Sequence, residues 1–421
     1  MGQSKKFIYL ILLAGFLFRL FLFFNFLDNP KFFYDDDSFG YVQLAENLKN
    51  GRGFSWNEEE PFTPNSFRTP GYPFFLLLNK ILFGNYLSAL ITQSLLVVVS
   101  AYILFLLAES LGNKRIGEIG AAIFLFMPFS VLVSLQFLTQ TLFTFILMLA
   151  VWFWFLFLKK RRNKYFFLAS FLLPILALIR PIAIFIYLPF LMSLFIHFWL
   201  NKPVIKKKIV FYSLFLVLVF FLVLSPWMIR NYVLFGEYSL SSIGAYQLYF
   251  YEAPPVYAFN HGLSRAEAGD FLGEEIDKYT MASAFEEYTT FTHSDMLKQK
   301  AKEIIFESPS GFVVLKIIQG FKFFVRDGIR YWFEEQKIWP VLAERAFLFV
   351  IFLGMVACLF SIFKKQSREK AVLSFFFLII FYFAALTGAM ASAGFRFVVE
   401  PIFMLVGLLG LKDSFSFIWK S

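Results

Sequence analysis

Residues 34–41, YDDDSFGY, set three consecutive carboxylates, Asp35, Asp36 and Asp37, behind an apolar run at 7–27. A bilayer span needs about 20 predominantly apolar residues. Ionised groups held at a lipid boundary are costly, so their presence is a functional signal by default. Similar runs recur along the chain. The hydrophobic fraction is 59%, charged residues make up 16%, and Phe occurs 64 times in 421 residues, with a mean hydropathy of +0.67. A water-soluble fold of that composition would expose large apolar patches, so the sequence predicts an all-α polytopic membrane protein.

Basic residues sit in short clusters between apolar runs: Lys5 and Lys6, Lys114 and Arg115, KKRRNK at 159–164, KPVIKKK at 202–208, KKQSREK at 364–370, then Lys412 and Lys420. Every second connection carries one, the pattern that marks cytoplasmic loops. The net charge of +10 therefore reads as orientation and contact with membrane lipids rather than nucleic-acid binding. Both termini are expected in the cytoplasm, in a multi-pass protein of the inner (plasma) membrane. Ten spans are expected, near 7–27, 86–108, 117–134, 136–158, 165–180, 181–200, 209–229, 346–363, 371–391 and 396–411. The tract 165–200 is too long for one span, so it is folded into a hairpin near Arg180 and Pro181. Residues 1–27 read as a permanent span rather than a signal peptide, because Arg19 interrupts them and no small-residue cleavage site follows. Arg19 itself is expected to snorkel outward or to line a cavity.

Two large loops then fall on the outer side, at 28–85 and 230–345, giving a membrane module at 1–229, a loop region at 230–345 and C-terminal helices at 346–421. In the first loop Asp37, Tyr41, Leu44, Ala45 and Leu48 recur at helical spacing, which predicts a short interfacial helix with an acidic N-terminus and its apolar face toward the membrane. One aspartate would serve as its cap. Three adjacent carboxylates, one of them partly desolvated, suit a general base or a ligand for a divalent cation at Asp35 and Asp36. In RTPGYP at 68–73, Pro70 extends Thr69, Gly71 relaxes the turn and Pro73 starts the next helix. Arg68, Arg180, Arg230, Arg396 and one of Arg326 or Arg330 lie on the side where few arginines are expected, and an anionic phosphate would account for them. Arg396 has a second partner in Glu400, one helical turn on. In the second loop Tyr246, Tyr249, Tyr251 and Tyr257 are candidates for stacking on a sugar or for packing on lipid. Residues 312–332 read as an amphipathic helix on the outer surface. The single Cys358 and the scattered His197, His261 and His293 give no disulfide and no metal-ligand spacing.

The order of DxxxY at 37–41, NGRGF at 50–54, RTPGYP, LTQTLFTF at 138–145, LIRP at 178–181, PWMIRNY at 226–232, FESPSGF at 306–312 and FRFVVEPIF at 395–403 resembles the GT-C superfamily of integral membrane glycosyltransferases. It is similar to the bacterial branch related to protein O-mannosyltransferases and aminoarabinose transferases, over most of the chain. The resemblance implies an inverting transferase that moves a sugar from a polyprenyl-phosphate carrier to an acceptor glycan, lipid or protein outside the membrane. It implies Asp37, with Asp36 beside it, as the base that deprotonates the acceptor. The basic residues Arg230, Arg180, Arg396 and Arg68 are then expected at the donor phosphate, and Tyr41, Tyr246 and Tyr249 at the substrate. Where relatives commonly place Glu in the fourth motif this chain has Gln140, which cannot ionise, and a two-carboxylate arrangement is thereby put in question. The alternatives are a lipid-linked oligosaccharide polymerase or ligase, which has no need of the acidic cluster, and a glycolipid transporter, for which internal repeats are expected and none is visible.

Overall fold

The computed structural model describes residues 6–200, 206–280, 290–329, 338–388 and 393–414. Every element among them is helical. The first half runs α1 (Lys6–Asn25), α2 (Ser38–Lys49), α3 (Gly71–Phe83), α4 (Ser88–Ser110), α5 (Lys114–Phe126), α6 (Pro128–Ser134), α7 (Thr139–Lys160), α8 (Asn163–Ile179), α9 (Tyr187–Leu200) and α10 (Lys206–Phe235). The second half adds α11 (Ile243–Gln247), α12 (Ala253–His261), α13 (Arg265–Thr280), α14 (Ser294–Glu307), α15 (Pro309–Val325), α16 (Ile338–Ser361), α17 (Ser367–Leu386), α18 (Ala393–Phe397) and α19 (Glu400–Ser414).

Seven of the described helices are long and apolar enough to cross a membrane, or up to nine if each bent pair is one span. Among the described residues the count of ten is not confirmed. Three segments account for the difference. The expected span 117–134 is α5 and α6, bent by 59° at Met127, where Pro128 has no N–H to continue the helix. The span at 165–180 is the 17-residue α8, and that at 396–411 is the short α18 followed by the 15-residue α19. The hairpin in 165–200 is present: α8 ends at Arg180, whose backbone is extended, and a 3-10 turn, Pro181–Phe185, leads into α9. α10 continues to Phe235, past the boundary expected at 229.

The main core lies among α4, α7, α8, α9, α17 and α19 and is rich in aromatic rings. Trp154 on α7, fully buried, meets Phe190 of α9 at 5.0 Å and donates its indole N–H to Ser193 at 3.0 Å. Arg19 neither snorkels nor lines a cavity. It is fully buried and donates to Ser134 at 3.0 Å, Ser130 at 3.1 Å and the Gly15 carbonyl at 3.0 Å, which ties α1 to α6. Residues of the second loop form their own apolar cluster, with Tyr249, Val256, Leu272, Ile276, Leu297 and Ile304 at its centre. α15 leaves it at 98° to the preceding helix. Its exposed Val313, Val314, Ile317 and Phe321 make it a largely apolar surface helix rather than a basic one, with Lys316 paired to Glu252 at 2.9 Å. Arg330 lies outside the described residues.

Candidate active site

α2 carries the first functional side chains. Tyr41, Leu44 and Ala45 are buried as their spacing predicts. The face they form is covered by α3 instead of lipid, with the Tyr41 and Tyr72 rings 5.1 Å apart. Asp37 occupies the N-cap position but makes no side-chain cap hydrogen bond. Instead its Oδ1 accepts from Arg68 Nη2 at 2.5 Å, while Arg68 Nη1 donates to the Tyr41 hydroxyl at 3.2 Å. Burial opposes the Arg68 charge, yet Tyr41 and Asp37 beside it hold the guanidinium above its ordinary value.

Arg68 is aimed by the loop before α3. The Asn65 side-chain oxygen accepts from the backbone N–H of Phe67 at 3.1 Å and of Arg68 at 3.0 Å, a local turn that Asn favours. Gly71 then answers a close approach rather than relaxing a turn. A Cβ there would stand 2.7 Å from the Leu178 carbonyl oxygen and 2.9 Å from Ile179 Cγ1. The start of α3 thus sits directly on the end of α8, which brings Arg68 of one and Arg180 of the other to the same place.

That place is a cavity of about 250 Å³ lined by Asp37, Tyr41, Arg68, Thr139, Gln140, Arg180, Tyr246, Gln247, Tyr251 and Phe395, among others. Six separate stretches of chain meet there. Arg180 donates to the Thr139 hydroxyl at 3.3 Å and lies 5.0 Å over the Phe395 ring. Thr139 opens the 22-residue α7, whose N-terminus carries no side-chain cap bond, so uncapped N–H groups and the positive end of the helix dipole lie beside the cavity. Tyr246 packs edge-on against Phe67 with centroids 5.4 Å apart, and burial pushes its hydroxyl up to about 12, which keeps it a hydrogen-bond donor.

The other expected site residues lie elsewhere. Arg230 donates to the Asn65 carbonyl and to Asn231, both at 2.8 Å, under the Trp227, Phe235 and Phe54 rings. It braces the loop that carries Arg68 and does not line the cavity. Arg396 is fully buried, pairs with Glu400 at 3.4 Å, and donates to the carbonyls of Phe323 and Arg326. Tyr249 is buried in the second-loop cluster with its hydroxyl on the Leu272 carbonyl at 2.8 Å. Asp35 and Asp36 are not part of the lining. Burial raises the Asp35 carboxyl above its usual range. Among the described residues no group of three His, Cys, Asp or Glu side chains is arranged to hold a metal ion, so the expected cation ligands at Asp35 and Asp36 do not form a fitting set.

Two groups of residues carry no signal of their own in the sequence. Thr139 and Gln247 join the cavity wall. Ser241 donates to the Phe67 carbonyl at 2.5 Å and the Ser242 N–H to the Ser66 carbonyl at 3.0 Å, stitching the second loop to the first beside Arg68. No linear spacing signals such a seam.

Residues 67–228 match the family model described as dolichyl-phosphate-mannose-protein mannosyltransferase, a stretch that contains Arg68 and Arg180 and stops short of Asp37. No curated protein sequence matches the chain. Among solved structures, the chain is similar to an oligosaccharyltransferase of Archaeoglobus fulgidus tethered to an acceptor peptide, at a TM-score of 0.57 and 15% identity, over 99% of this chain and 51% of that one. A second structure, the AglB oligosaccharyltransferase of the same organism with an inhibitory peptide and a dolichol-phosphate, gives 0.56 and 13% over 99% and 51%. ArnT from Cupriavidus metallidurans bound to undecaprenyl phosphate gives 0.44 and 14% over 98% and 80%. The chain thus spans about half the length of the archaeal enzymes. It is a multi-pass membrane protein with the GT-C glycosyltransferase fold.

Proposed function

We propose that the cavity transfers a sugar from a polyprenyl-phosphate carrier to a hydroxyl-bearing acceptor, with inversion, on the outer side of the membrane. The observation that carries this reading is the convergence of one carboxylate, Asp37, and two guanidinium groups, Arg68 and Arg180, on a single cavity. In the reaction, Asp37 takes the acceptor hydroxyl proton. The acceptor oxygen bonds to the anomeric carbon, and the bond from that carbon to the phosphate oxygen breaks with its electron pair leaving on the carrier. Arg180, Arg68 and the N-terminus of α7 are suited to stabilise that charge as it develops. Uncharged Gln140, Tyr246, Gln247 and Tyr251 offer hydrogen bonds and ring faces to the sugar.

Two further facts support the reading. The cavity sits at the end of the bundle opposite Lys159, Lys365 and Lys412, which anchor on Ser110, Asp413 and Asn113, and basic ends face the cytoplasm. The archaeal AglB structure, of like fold, holds a dolichol-phosphate, a ligand of the proposed class. The test is to supply the protein in lipid nanodiscs with a panel of radiolabelled polyprenyl-phosphate sugars and membrane extract as acceptor. Transfer with inversion at the anomeric carbon is expected. Retention, or transfer only from nucleotide sugars, would overturn the reading.

A further inference from the structure

The Asp37–Arg68 pair is lopsided. The Arg68 side chain is 13% exposed and that of Asp37 54%. Arg68 is held from several sides, by the Tyr41 hydroxyl and by the Tyr41 and Phe67 rings at 4.8 and 5.1 Å from its guanidinium carbon. Asp37 makes no cap bond to its own helix, and among the described residues its one side-chain partner is Arg68. When the pair opens, the carboxylate is the member free to move. The guanidinium is also half used. Its Nε is buried without a partner, and Nε shares with Nη2 the edge that grips two oxygens at once. Asp37 occupies only the Nη2 side of that edge, through one oxygen. A phosphate placing two oxygens there would satisfy both groups, and a buried donor left unpaired is unfavourable.

We propose that Arg68 is a gate on the base: without carrier it holds the Asp37 oxygen, and the incoming phosphate takes over the guanidinium and releases Asp37 toward the acceptor hydroxyl. This inference rests on the transferase reading above and adds an order of events to it. The carrier binds first, because an Asp37 carboxylate tied through Oδ1 to Arg68 at 2.5 Å is held toward the guanidinium rather than toward an acceptor. The acceptor is deprotonated only once a donor phosphate is in place, so the base is not spent on water in an empty site. After transfer the carrier departs with the electron pair of the broken bond, the acceptor proton resides on Asp37 until it passes to solvent, and Arg68 recovers its partner. Arg180 supplies the anchoring charge throughout, since its one side-chain hydrogen bond among the described residues is to Thr139.

The test is an infrared difference spectrum of the full chain in nanodiscs, grown with carbon-13 aspartate, on adding undecaprenyl phosphate, with binding followed in parallel by tryptophan fluorescence. A carboxylate band that shifts on binding and is absent from Asp37→Asn is expected. Asp37→Asn should also bind the lipid about two- to fivefold tighter, the range expected for losing a competing ion pair with one exposed member. A purely structural pair predicts neither result. Binding without an Asp37 band, or no tightening in Asp37→Asn, would overturn the gate and leave the transferase reading standing. No binding of undecaprenyl phosphate to the wild type would overturn both.

Discussion

Arg180 and Arg230 both lie at or near the C-terminal end of an apolar helix, yet their surroundings assign them different work. Arg180 spends one hydrogen bond on Thr139 and turns the rest of its fork to the cavity, whereas Arg230 is taken up by Asn65, Asn231 and three rings. Arg180→Gln should therefore weaken undecaprenyl phosphate binding by about 10- to 100-fold, the loss of charge-assisted bonds. Arg230→Gln should leave that affinity within a few fold and lower thermal stability instead, as read by lipid titration and melting. Asp36→Asn should keep most of the transfer rate, because Asp36 is exposed and outside the lining. The sequence flagged these arginines because the positive-inside bias makes them unexpected. It could not tell which are already satisfied, since the carbonyls and rings that satisfy them come from distant stretches. Arg396 with Glu400, at one-turn spacing, was the exception.

The elements were legible from run length, because a bilayer leaves helices as the main way to satisfy a buried backbone. Even the hairpin at Arg180 followed from a tract too long for one span. The break at Met127 and Pro128 and the separate helix α3 were harder to see. Gly84, in the left-handed region at φ 81°, ends α3, while in sequence the apolar residues on either side of it read on toward the next span. How α3 packs decides the site. Gly71→Ala would press a methyl group against Ile179 and against the Leu178 carbonyl, a backbone group that cannot rotate away. A loss of about 1–3 kcal/mol in stability is expected. Transfer should fall with it, because moving α3 off α8 separates Arg68 from Arg180. Thermal melting with activity at a temperature where the variant stays folded would check both effects.

For the molecule as a whole, the cavity gathers residues from six regions between 37 and 395, so no window of sequence contains the site. Short motifs gave its corners, and the seam through Ser66, Ser241 and Ser242 that closes it is visible only in the fold. The side on which the cavity opens can be checked with thiols, because the native Cys358 is buried and gives little background. A cysteine at Glu59 in the exposed first loop should react with a membrane-impermeant maleimide in intact cells, and one at Arg162 only after permeabilisation. The reverse pattern would put the cavity on the cytoplasmic face. The account as a whole depends on Asp37 acting as the base. The most direct test is sugar transfer from a polyprenyl-phosphate donor by wild type and Asp37→Asn in nanodiscs, with donor binding measured alongside. The account predicts a fall in rate of about 10² to 10⁴ with donor binding retained; an Asp37→Asn variant that transfers at the wild-type rate would contradict it.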